Sequence, residues 1–76
     1  MMVTLEQIQQ RLIETIKNCG MTQTELAKKL GISNQAIGQY LHQNRFPALD
    51  TLANLCNIVD VSPAYILFYE DEGGAR

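Results

Sequence analysis

Residues 22–43, TQTELAKKLGISNQAIGQYLHQ, constrain the fold more than any other stretch of this 76-residue chain. Thr22 is followed three positions later by Glu25, the spacing of a capping box, and Met21 and Leu26 bracket it as a hydrophobic staple. Leu26, Ala27 and Leu30 then form the inner stripe of a helix that stops at Gly31, a residue free to take the left-handed conformation. Ser33 restarts a helix almost at once, with Ile32 and Ile37 as a second staple. Two helices of about eight and ten residues, separated by so few positions, must cross at a steep angle.

That geometry is a helix-turn-helix. The block Thr22-Gln23-x-Glu25-Leu26-Ala27-x-x-Leu30-Gly31-Ile32-Ser33, then Ala36-Ile37-x-Gln39-Tyr40, resembles the Cro/phage-repressor (xenobiotic-response-element type) helix-turn-helix family. Pro47, Leu49, Leu52 and Val61-Ser62 continue the pattern, so the likeness runs from about residue 5 to residue 69. It implies an all-α fold, a compact five-helix bundle of the lambda-repressor-like kind, with the second and third helices as the DNA-binding pair. The expected organisation is one helix-turn-helix domain over residues 1–69, followed by an acidic, glycine-rich tail or linker start over 70–76.

Length and composition agree with a single small domain. Seventy-six residues support one core with little stability to spare, and 46% apolar content favours a folded chain over a disordered one. No run of 18 or more apolar residues spans a membrane, and MMVTLEQIQQ lacks the basic start and apolar centre of a secretory signal. A cytoplasmic location is expected. Cys19 and Cys56 each sit on or beside an apolar helical stripe and read as buried thiols rather than a disulfide or metal pair. His42 is the lone histidine, too few ligands for zinc.

The net charge of -2 runs against DNA binding, because phosphate contacts dominate affinity for nucleic acid. Its distribution answers part of the objection. Between Thr22 and Phe46, Glu25 faces Lys28, Lys29 and Arg45, giving +2, whereas the remainder carries -4, with Glu70, Asp71 and Glu72 clustered near the end. Weak non-specific affinity is therefore expected, and useful binding would need a dimer.

Three further helices complete the pattern. Thr4 with Gln7 makes a capping box for a first helix through about Asn18, with Leu5, Ile8, Leu12, Ile13 and Ile16 on one face. A polar loop, His42 to Pro47, leads to a fourth helix over about Ala48 to Val59, with Leu49, Leu52, Ala53, Leu55, Cys56 and Val59 inward and Asp60 just past its end. Ser62 caps a fifth helix with Pro63 at its first position and Val61 and Ile66 as its staple. That helix, PAYILFYED, is apolar around most of its circumference; Tyr65, Phe68 and Tyr69 are therefore candidates for a dimer interface.

The first residues of the second helix in such a motif enter the major groove. Here they are Ser33, Asn34, Gln35 and Ala36, with Gln39 one turn along on the side of Gln35. Amides pair bidentately with the N6 and N7 edge of adenine, and Ala36 is sized for a thymine methyl, so Asn34, Gln35, Ala36 and Gln39 are the expected base contacts. The resemblance implies a phosphate contact at Gln23, beside the donors of a helix N-terminus. Thr22, Ser33, Asn44 and Arg45 complete the candidate phosphate set. Two departures from the family pattern stand out. Leu41 and Ile16 occupy positions where many relatives carry an ion pair, an apolar swap that need not destabilise. Gly38 lies inside the reading helix, about 1 kcal/mol worse than alanine there.

The sequence thus points to a sequence-specific, repressor-like DNA-binding transcriptional regulator, acting as a homodimer on an inverted repeat of double-stranded DNA. The alternative is a protein-binding module or antitoxin-like adaptor that uses the apolar fifth helix. No acid-base or nucleophilic set suggests an enzyme, and no cofactor, metal or small-molecule ligand is expected.

Overall fold

Thr4 opens the first helix through the expected reciprocal cap. Its hydroxyl accepts from the Gln7 backbone N–H at 3.2 Å, and the Gln7 side-chain oxygen accepts from the Thr4 N–H at 2.8 Å. The computed structural model describes residues 2–69, so the acidic cluster and glycine-rich tail anticipated over 70–76 lie outside the described residues. The element order is α1 (Leu5–Lys17), α2 (Gln23–Leu30), α3 (Asn34–His42), α4 (Leu49–Val59) and α5 (Pro63–Ile66), all helical.

The α2–α3 unit forms as its caps dictate. Thr22 and Glu25 close a second capping box at 3.1 and 2.9 Å. Gly31 then turns the chain with φ of 72°. The Ile32 N–H reaches back to the Ala27 carbonyl at 3.0 Å and the Gly31 N–H to that of Lys28 at 3.2 Å, a Schellman ending. The Ser33 hydroxyl caps α3 through the Ala36 N–H at 3.1 Å.

The same ending recurs at α4 and α5 with residues that tolerate it less well. Asp60 sits at φ 59°, with the Val61 N–H on the Cys56 carbonyl. Phe68 sits at φ 62°, with the Tyr69 N–H on the Ala64 carbonyl at 2.8 Å. An aromatic residue in the left-handed region is an outlier that its surroundings must hold in place.

Leu12, Ile16, Leu26, Ala27, Ile37, Tyr40, Leu55, Cys56 and Ile66 make the core. α2 packs on α3 and α4, while α5 bridges α1 and α4. Leu41 packs against this cluster alongside Ile16, so the apolar replacement of an ion pair is seated where the sequence placed it.

Three inward assignments are corrected. Leu5 is 68% and Leu49 84% exposed, and Ala53 is exposed as well. Leu5 and Leu49 are the first residues of their helices, and a helical Cα–Cβ bond leans toward the N-terminus. Their side chains therefore project past the ends of the packed helices. The fifth helix is also shorter than the run PAYILFYED suggests: four residues, after which Phe68 folds back rather than continuing the spiral.

Candidate nucleic-acid interface

The outer face of α3 carries Gln35, Gly38, Gln39 and His42 at helical spacing, opposite the buried Ile37 and Tyr40. With Gln23, Asn34 and Gln43 these residues line an open depression of about 360 Å³. Gln35 is exposed and Gln39 half-buried, and among the described residues neither amide has a side-chain hydrogen-bond partner. Both are free to meet an external donor–acceptor pair. Ala36, half-buried, packs partly on the core, so only part of its methyl group faces outward.

Asn34 is differently placed. Its side-chain oxygen accepts from Gln23 Nε2 at 3.4 Å, and its Nδ2 donates to the Thr24 hydroxyl at 3.1 Å. The amide therefore bridges the starts of α2 and α3, and the residue expected to read bases is engaged within the fold. Thr24 carries this bridge and was not singled out in the sequence. The signal available there was its position one residue beyond Gln23 on the first turn of α2. Thr22 and Ser33 spend their hydroxyls on the caps of α2 and α3, one residue before Gln23 and Asn34. Asn44, at φ 56°, and Arg45 are exposed in the loop after α3, where the Arg45 N–H holds the Gln39 carbonyl at 3.3 Å.

Gly38 is unusual in needing nothing from its own fold. A Cβ built there meets only Gln23 Nε2, at 3.8 Å, an ordinary contact. Its cost of about 1 kcal/mol in a helix interior therefore has no counterpart among its neighbours.

The aromatic end of the chain is arranged around a residue the sequence reading left aside. The Arg11 guanidinium of α1 lies 3.4 Å from the centroid of Phe68 and 4.5 Å from that of Tyr65, and its Nη1 donates to the Tyr65 carbonyl at 2.7 Å. Tyr65 and Phe68 thus have intramolecular work, whereas Tyr69 is 67% exposed. A second apolar surface lies elsewhere: Leu5, Phe46, Leu49 and Leu67 are exposed around a crevice floored by Ile8, Leu12 and Ile66. Phe46 follows α3 by four positions, so this surface adjoins α3 in sequence.

Burial pushes the Tyr40 hydroxyl and the Cys56 thiol above their ordinary pKa values, so both stay protonated and inert. Both cysteines are free, and the Cys19 thiol donates to the Met21 carbonyl. Among the described residues no group of His, Cys, Asp or Glu is disposed to hold a metal, and no helix is long and apolar enough to cross a membrane.

Comparison with known proteins agrees with this geometry. A family model described as Helix-turn-helix matches residues 12–66. Three proteins of Bacillus subtilis (strain 168) are similar. The HTH-type transcriptional regulator ImmR is 42% identical over 57 residues, covering 75% of this chain and 45% of ImmR. The uncharacterized HTH-type transcriptional regulator YobD is 38% identical over 63 residues, covering 83% and 56%. The similarly described YqaE is 41% identical over 58 residues, covering 71% and 50%. The chain spans about half the length of these curated relatives. No solved structure matches it. The match over most of the chain, on the residues that build α2 and α3, makes it a member of the Cro/phage-repressor-type helix-turn-helix family.

Proposed function

We propose that this domain is the sequence-specific DNA-binding part of a transcriptional regulator, laying α3 in the major groove of double-stranded DNA. The observation that carries the reading is the unpartnered amide pair Gln35 and Gln39 on the outward face of α3. Each can pair with the N6 and N7 edge of an adenine. The ordered pair Gln23 and Asn34 stands beside them at the start of the two helices. Gln23 and the exposed N-terminus of α2 meet a phosphate, Asn34 orients Gln23, and Asn44 and Arg45 hold the strand beyond α3. The relatives' description as transcriptional regulators supports the regulatory role.

The functional unit is a homodimer on an inverted repeat, with two copies of α3 about 34 Å apart. One domain's few basic side chains give little phosphate affinity, and doubling the contacts meets that shortfall. The surface of Phe46, Leu49 and Leu67 is one apolar face for the pairing, and exposed Tyr69 with its neighbours Tyr65 and Phe68 is the other.

The test is selection of duplexes from a random pool, followed by anisotropy titration at several salt concentrations. Affinity for the selected duplex should fall linearly on a log–log salt plot. Gln35→Ala should cost about 1–3 kcal/mol on that duplex and nothing on unrelated DNA. Failure to enrich any duplex would remove the reading.

The exposed apolar crevice and the net charge of -2 favour one competing reading, a protein-binding module on the same fold. Leu49→Glu and Tyr69→Glu separate the two. Dissociation to monomer with loss of DNA affinity supports the dimeric regulator. Loss of a captured protein with DNA affinity intact supports the module.

A further inference from the structure

We propose that Gly38 is a specificity-determining gap in the reading face, a notch that admits the 5-methyl group of a thymine lying between Gln35 and Gln39. The inference rests on the DNA-binding reading above and goes beyond it by assigning a role to a residue that carries no side chain.

Three observations lead there. Gly38 lies in the middle of α3, where glycine weakens a helix, yet its φ is not in the left-handed region that would require glycine. An alanine would fit: its Cβ would lie 3.8 Å from Gln23 Nε2 and meet nothing closer. Folding therefore offers no reason for the missing side chain. The position is also the centre of the outward stripe, one turn after Gln35 and next to Gln39, in the floor of the depression. Whatever uses the gap approaches from outside.

The chemistry of the flanking amides identifies the visitor. A glutamine that reads adenine faces an A·T pair, and the thymine of that pair projects a methyl group into the same groove. A side chain at position 38 would stand in its path. Glycine lets the helix backbone come close to the base edges, the use to which glycine is put wherever backbone approaches a ligand.

The test uses the full chain and the duplex that the wild type enriches from a random pool. Gly38→Ala should raise Tm by several degrees, because a helix interior gains an alanine without a clash. The same variant should bind the enriched duplex about tenfold more weakly, with affinity for unrelated DNA unchanged. Replacing the contacted thymine by uracil, which lacks the methyl group, should restore much of the affinity of Gly38→Ala while slightly weakening the wild type. Unchanged or improved affinity of Gly38→Ala for the enriched duplex overturns the proposal. So does a lowered Tm, which would show that the glycine serves the fold, or a loss that no uracil substitution relieves. A wild type that enriches no duplex removes the DNA-binding reading itself, and this assignment with it; enrichment with an indifferent Gly38→Ala removes this assignment alone.

Discussion

Asp60 carries two local penalties that its counterpart Gly31 avoids. Both end a helix in the left-handed region, at φ 59° and 72°, and after each the next residue's N–H reaches back five positions, Val61 to Cys56 and Ile32 to Ala27. Asp60 has a Cβ that the left-handed conformation crowds, and its carboxylate sits at the negative end of the α4 dipole. Asp60→Gly is therefore expected to stabilise the domain by about 1 kcal/mol, less the extra freedom that glycine gives the unfolded chain. Thermal melts should show Tm rising by about 4–8 °C for each such kcal/mol in a domain of this size. Asp60→Asn removes the charge and keeps the backbone cost, so it should recover only part of the gain. Asp60→Gly melting below the wild type would mean that the carboxylate has a stabilising partner.

At the scale of elements, α5 is too short to hold itself by its own hydrogen bonds and is fastened to α1 by Arg11. The planar guanidinium stacks on Phe68 and Tyr65 and hydrogen-bonds the Tyr65 carbonyl near the end of that turn. Arg11→Ala should lower stability by about 1–2 kcal/mol in urea denaturation. Arg11→Lys should recover less than half, since an ammonium cannot lie flat against two rings. Equal stability of all three proteins would show that the stack adds nothing. The arrangement also shows where sequence legibility ends. The capped helices could be read directly, because Thr4–Gln7, Thr22–Glu25 and Ser33 act on neighbours three positions away. Arg11 meets Tyr65 across 54 positions, and no local pattern encodes that pairing. The periodicity of α1 and α4 located their buried faces but misassigned Leu5 and Leu49, which stand at the first positions of their helices, where a side chain leans past the packed end. In the candidate interface, the outward face of Gln35 and Gln39 followed from helical spacing. The hydrogen bonds of Asn34 with Gln23 and Thr24 did not, because they depend on how closely α2 and α3 start.

For the whole molecule, alkaline pH is the exposed flank. Cys56 and Tyr40 are both core residues whose burial favours the protonated form, raising their pKa values above the ordinary 9.0 and 10.0. A raised pKa in the folded state means that the contribution is whole below the ordinary value and is lost as pH climbs through the raised one. Stability should therefore hold from neutral pH to about 9 and then decline in two overlapping steps. Cys56→Ala should remove the earlier step and Tyr40→Phe the later, as read from Tm between pH 7 and 11. A curve flat to pH 11 would contradict the burial of both groups. The tie between Asn34, Gln23 and Thr24 has a consequence for kinetics as well. It orders three side chains at the leading ends of both helices before any encounter, so Gln23, Asn34 and Thr24 have little rotamer freedom to surrender on contact. Docking onto a duplex should then proceed without a slow rearrangement, its speed set by ionic attraction and orientation alone.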